Sequence, residues 1–171
     1  QQHAPPGLPP ADMVHVYISG DVDTRKKGQP PPPAGYGAVA TAGGRRVFEM
    51  AGQIVAQRTP NVRTTTQNLS DLVSFARAVR WATRHFVARD KPICIRYNSE
   101  YAARIATGTW KAKKHKAMAE EARQAWAQLK RTTGGRAWMR HVDHKDLHHS
   151  AASRLATAGK RGTFVYAEIA G

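Results

Sequence analysis

The chain has 171 residues, 41% hydrophobic and 23% charged, which is enough for one domain with a full core. Its 27 Lys and Arg against 12 Asp and Glu give a formal net charge of +15, an excess spread along the sequence that points to a polyanionic partner, nucleic acid above all. No apolar run approaches the ~20 residues of a membrane span, no segment pairs a basic face with a broad exposed apolar one, and one cysteine excludes a disulfide framework; neither a membrane partner nor secretion is expected.

Residues 1–12 (QQHAPPGLPPAD) form a proline-rich arm that can enter neither a helix nor a central strand, and that is expected to lie against its own domain or a partner. The chain starts at Gln1 rather than Met, as it would after removal of an organelle-targeting segment. Residues 14–21 (VHVYISGD) alternate with period two, sending Val14, Val16 and Ile18 to one face and His15, Tyr17 and Ser19 to the other: a strand that ends at Ser19-Gly20. A polar polyproline loop carrying Arg25, Lys26 and Lys27 follows. Gly43-Gly44 then separates two strand-like runs, 36–42 and 45–55, as a hairpin. Leu69, Leu72, Val73, Ala76, Val79 and Phe86 recur at three-and-four spacing with Thr66 or Asn68 placed to cap them, a helix of about five turns.

Residues 92–98 (PICIRYN) read as a buried fourth strand, with Cys94 a small buried hydrophobe rather than a reactive thiol. Ser99 caps a short helix over 99–106. Gly108 closes it, and a loop follows in which Trp110 precedes Lys111, Lys113, Lys114 and Lys116. Met118, Ala122, Ala125, Trp126 and Leu129 mark the apolar stripe of another helix, which also carries Arg123, Lys130 and Arg131 and stops at Gly134-Gly135. A fifth strand over 136–142, a polar loop over 143–149 and a last helix over 150–159 complete a domain spanning 13–160, with 161–171 left as a tail. Three strands, helix, strand, two helices, strand, helix is an α/β order with mixed pairing.

In this order the segments VYISG, AGYGAVA, TTQNLSDLVSFARAV, IRYNSEYAARIATGTWKAKKHK and RHVDHKDLHHSAASRLATAG resemble the ribonuclease H family. They correspond to its first strand, its glycine-flanked second strand, the start of its long helix, its fourth strand with the basic segment beyond, and its final strand, histidine loop and helix. The resemblance implies a five-stranded mixed sheet, three antiparallel strands then two parallel, flanked by helices. It also implies chemistry in which four carboxylates gather two magnesium ions. The family's carboxylate positions fall on Ser19, Asp71, Asn98 and Ser153, so only Asp71 keeps a negative charge, and the role of the loop histidine falls to His144 or His141.

Asp21, Asp23, Glu100, Asp143 and Asp146 lie near enough in sequence to rebuild the site, but each would have to re-aim an oxygen within ~0.5 Å of productive geometry. His141, His144, His148 and His149 suggest zinc, yet no cysteine joins them to close a tetrahedral set. The expectation is therefore a non-enzyme with a degenerate site, no metal and no other cofactor. Arg25, Lys26, Lys27, Lys111, Lys113, Lys114, Lys116, Arg123, Lys130 and Arg131 are expected to contact phosphates, with Trp110 in the core. The biological setting expected is a large ribonucleoprotein: a mitochondrial ribosomal protein binding rRNA and neighbouring proteins, or failing that a cytoplasmic or nuclear component. The alternatives are an active metal-dependent RNA/DNA-hybrid ribonuclease with displaced ligands, and a protein-only adaptor in a non-ribosomal complex.

Overall fold

The computed structural model describes residues 7, 10–85 and 91–169; most of the N-terminal arm, and Phe86 of the predicted helix, lie outside them. The elements run β1 (Val14–Val22), β2 (Ala34–Ala42), β3 (Arg45–Ile54), α1 (Gln67–His85), β4 (Ile93–Tyr97), α2 (Glu100–Ala106), α3 (Lys116–Thr132), β5 (Ala137–His141), α4 (Leu147–Lys160) and β6 (Val165–Glu168). They build one sheet in the order β5-β4-β1-β2-β3-β6. β1 pairs antiparallel with β2 and β2 with β3, while β4 is parallel to both β1 and β5, which is the mixed pairing expected.

The sheet has six strands rather than five. Residues 165–168, read as tail, run antiparallel to β3 with Met50 opposite Tyr166. The segment FVYAEI alternates as a strand should, but it is short, and it offers no buried face strong enough to announce itself.

The period-two pattern of β1 separates two layers. Val14, Val16 and Ile18 join the main core with α1, α2 and α3, where Phe48 stacks on Trp81 at 3.9 Å and Trp126 is buried. Tyr17 faces the other way and packs with Val39, Ala151 and Ala152 under α4. Helix α4 lies directly on the β2 backbone: a Cβ at Gly35 or Gly37 would collide with the main chain of Ala152, Ala156 and Lys160. This close approach is what the two glycines of AGYGAVA permit. Cys94 is buried beside Met13 and Trp138, and burial pushes its thiol up to about 11, so it is the inert hydrophobe the sequence suggests.

The helix starts follow local chemistry. Thr66, not Asn68, caps α1: its Oγ1 accepts from Leu69 N at 3.1 Å. Ser99 Oγ accepts from Ala102 N at 3.1 Å and caps α2 as expected. Helix α4 begins three residues before Ser150, because Asp146 Oδ1 accepts from the amides of His148 and His149.

Candidate nucleic-acid interface

Because β1 and β4 run parallel, Ser19, Gly20 and Asn98 emerge at the same edge of the sheet. The first turns of α1 bring Gln67 and Asp71 to that edge from one layer, and α4 brings His149 and Ser153 from the other. The result is a pocket of about 230 Å³ lined by Ser19, Gly20, Gln67, Asp71, Asn98 and His149 among others. The four positions at which the resemblance places carboxylates therefore do converge. The Ser19 and Ser153 hydroxyls hydrogen-bond between β1 and α4 at 3.0 Å, and Ser153 Oγ lies 3.4 Å from His149 Nε2. Asn98 Nδ2 donates to the Val142 carbonyl at 2.9 Å, tying the end of β4 to the chain beyond β5.

Among the described residues, Asp71 carries the one carboxylate of the pocket wall. Gln67 Nε2 donates to its Oδ1 at 3.0 Å and to the Gly20 carbonyl at 2.9 Å. Burial pushes the carboxyl up to about 7, against the opposite pull of hydrogen bonds from Gln67, Ser99 and the Gly20 backbone. A side chain on Gly20 would sit 2.8 Å from Asp71 Oδ1 and collide with the Ser70 backbone, so that glycine keeps the carboxyl accessible. Burial also lowers the His149 imidazole, more than Asp146 raises it.

The histidine at the pocket is thus His149; His144 and His141 are exposed on the loop and strand end before it. The sequence places His149 at the end of the polar loop, and the early start of α4 puts it in the first helical turn, lining the pocket. Gln67 is a pocket residue that the sequence pattern does not single out, although it sits one helical turn before Asp71, the spacing at which side chains meet; Ser99, read as a helix cap, and His149, weighed as a zinc ligand, line the same pocket.

The carboxylates considered as displaced ligands point elsewhere. Lys160 Nζ lies 2.9 Å from Asp21 and 2.7 Å from Asp23, and Thr157 donates to Asp21 at 2.7 Å. Glu100 pairs with Arg104, Asp143 accepts from the Lys145 amide, and Asp146 caps α4. Burial by itself would raise Asp21, but the Thr157 and Lys160 hydrogen bonds hold it below the ordinary carboxylate range. Among the described residues no group of three His, Cys, Asp or Glu side chains is arranged to hold a metal ion. One carboxylate with neutral hydroxyls and an amide does not supply the anionic oxygens that two magnesium ions require, and the pocket does not fit that pair.

The basic residues fall into separate groups. Lys111, Lys113 and Lys114 line a hollow with Asn68, Tyr101 and Trp110 that adjoins the start of α1. The Thr66 hydroxyl, 3.3 Å from His115 Nε2, fastens this loop beside the Asp71 pocket. Lys116 faces a second hollow with Asn61 and Arg63. Trp110 is not in the core as expected: it is 46% exposed, with the Arg104 guanidinium 5.7 Å from its ring centre. Its chain position after Gly108 leaves it over α2 rather than beneath it. Arg123 pairs with Glu120, Lys130 lies over Trp126, and Lys130 and Arg131 stand in the last turn of α3, about 20 Å along the helix from Lys116. Arg25, Lys26 and Lys27 are exposed in the β1–β2 loop, with Arg25 donating to the Gln29 carbonyl.

No protein-family model and no curated protein sequence matches the chain. Solved structures do. LC11-RNase H1, isolated from compost by a metagenomic approach, superposes with a TM-score of 0.66 at 20% identity, covering 88% of this chain and 96% of that one. RNase H1 from the halophilic archaeon Halobacterium salinarum gives 0.57 at 22%, covering 86% and 96%. The foamy viral protease-reverse transcriptase in complex with an RNA/DNA hybrid gives 0.67 at 17%, covering 94% of this chain and 22% of that one.

These neighbours correct the expectation that the chain is not an enzyme. They include RNase H1 enzymes that match over nearly their whole length, and one of them has been solved with an RNA/DNA hybrid. The replaced carboxylates describe a donor set, and the likeness to these enzymes is a likeness of fold. The order of the strands, the helices on both faces and the extent of the superpositions agree: the chain has a ribonuclease H-like fold.

Proposed function

We propose that the chain binds an RNA-containing duplex, an RNA/DNA hybrid in the first instance, laying one strand over the Asp71 pocket and the other against the lysine loop. The observation that carries this reading is the adjacency of the two. Asn68 lines the lysine hollow and Gln67 the polar pocket, so consecutive residues of α1 border both. Lys111, Lys113 and Lys114 supply mobile ammonium groups for phosphates, Trp110 offers an exposed ring, and the pocket offers hydroxyl and amide donors without a cluster of negative charge to repel a backbone. Neighbours of this fold that have been solved with hybrids support the choice of ligand.

The test is binding of a fluorescent hybrid as salt is raised. Affinity should fall steeply, and reversal of Lys111, Lys113, Lys114 and Lys116 to Glu should weaken binding and flatten the salt slope by roughly 0.9 for each phosphate that the variant no longer neutralises. An unchanged slope would remove this surface from the interface. The same mixture supplied with magnesium or manganese reads hydrolysis directly, and cutting lost in Asp71→Ala would identify Asp71 as the carboxylate that hydrolysis needs.

A second reading rests on the net charge of +15 over one small domain. It makes the ligand a structured RNA within a large ribonucleoprotein, such as a mitochondrial ribosome, with other proteins as neighbours. Co-sedimentation with ribosomal subunits from fractionated mitochondria tests it, and a free pool at the top of the gradient refutes it.

A further inference from the structure

Away from the Asp71 pocket, a hollow of about 420 Å³ opens between α1, the β3–β6 edge and the start of α3. Arg77, Arg80 and Arg84 stand along one stripe of α1 at its wall. Arg84 is exposed, Arg77 lies 4.9 Å from the centre of the Tyr36 ring, and Arg80 pairs with Glu121 at 2.7 Å. Facing them are Phe164, 71% exposed, and Tyr166, 47% exposed, two of the four large hydrophobic side chains that stand out on the described surface. Tyr166 is held edge-on to Phe48 at 5.0 Å, with its hydroxyl 3.2 Å from His85 Nε2. One wall is therefore cationic and the other carries apolar plates.

We infer that this groove takes single-stranded nucleic acid, its bases stacked on Phe164 and Tyr166 and its phosphates facing Arg77 and Arg84. Aromatic plates beside a guanidinium stripe are the two components from which sequence-tolerant single-strand sites are made. An acidic peptide would answer the arginines but leave the exposed Phe164 ring without a flat partner. Arg84 lies about 20 Å along α1 from Asp71, so the surface is separate from the one proposed for the hybrid and neither depends on the other.

The experiment titrates a fluorescein-labelled uridine oligoribonucleotide by anisotropy, with a blunt RNA/DNA hybrid in parallel. Phe164→Ala should weaken the single strand by about fivefold or more, the lower end for loss of one base–aromatic stack. Arg84→Glu should weaken it and reduce the salt slope by about 0.7. Phe164→Trp, which keeps a plate, should hold wild-type affinity. None of the three should change hybrid binding by more than about twofold, whereas the lysine-loop reversals act on the hybrid, so the two readings fail separately. Both positions are exposed, and an unchanged melting curve will show that the variants fold. No binding of the oligonucleotide by the wild type, or equal binding by wild type and Phe164→Ala, overturns the inference. So does displacement of the oligonucleotide by a glutamate-rich peptide whose own affinity falls only with Arg84→Glu, which would make the groove a site for acidic protein segments.

Discussion

Asp71→Asn should make the protein more stable at alkaline pH and leave it little changed in mild acid. The native carboxyl is pushed up to about 7 by burial from a reference of 3.8. Over the interval between those values the native state holds a proton that the unfolded chain has released. Since the native state binds more protons there, unfolding free energy falls as pH rises from about 4 to about 7 and levels off above. A displacement of about three units corresponds to about 4 kcal/mol at ~1.36 kcal/mol per unit. Water at the open mouth of the pocket screens part of this, and the amide retains the bond from Gln67, so the expected gain at about pH 8.5 is roughly 2 kcal/mol. Urea denaturation of both proteins at a series of pH values measures it. The two curves should lie close near pH ~4.5 and separate as the wild type loses stability toward neutrality. Parallel curves, or a variant destabilised throughout, would show that Asp71 is hydrated and ionised in the native state, and would refute a pocket that holds its carboxyl protonated.

Lys160→Met should cost about 1–3 kcal/mol at neutral pH, less than a fully buried pair because Asp21 and Asp23 are partly exposed. Asp21 is held below its ordinary range, so its contribution is present above the unfolded carboxylate range and is lost as pH falls; the gap between wild type and variant should narrow in acid denaturation curves below pH ~4. Thr66→Ala removes the cap of α1 and should lower the urea-derived stability by about 1 kcal/mol; because Thr66 also meets His115, hybrid binding should weaken with it. Gly37→Val places a branched side chain against the α4 backbone, and a loss of about 3 kcal/mol or outright misfolding is expected on expression.

Much of the fold is legible because its signals are local and repeated. The alternation of VHVYIS, the three-and-four spacing from Leu69 onward and the glycine pair at 134–135 each fix an element without reference to the rest. The convergence of Ser19, Asp71, Asn98 and Ser153 follows once these elements take the order of a ribonuclease H-like fold. Three features are not legible, for different physical reasons. β6 depends on an edge of β3 that only the assembled sheet presents. His149 enters the pocket through the helical phase set by Asp146, and a shift of three residues in a helix start changes which side chain points inward. Composition assigns Trp110 to the core, but burial is decided by whether α2 leaves room beneath it, and room is a property of packing rather than of residue type.

The hydroxyl pair of Ser19 and Ser153 reaches further than its single bond implies. A site that crowds several carboxylates is a compressed spring, since like charges a few ångströms apart push the surrounding backbone outward until a cation arrives to quench them. Here the two neutral groups instead latch β1 to α4 at 3.0 Å. At this point of the seam a bond between side chains stands in place of repelling charges, and the melting temperature of this domain is expected to be the same with and without EDTA.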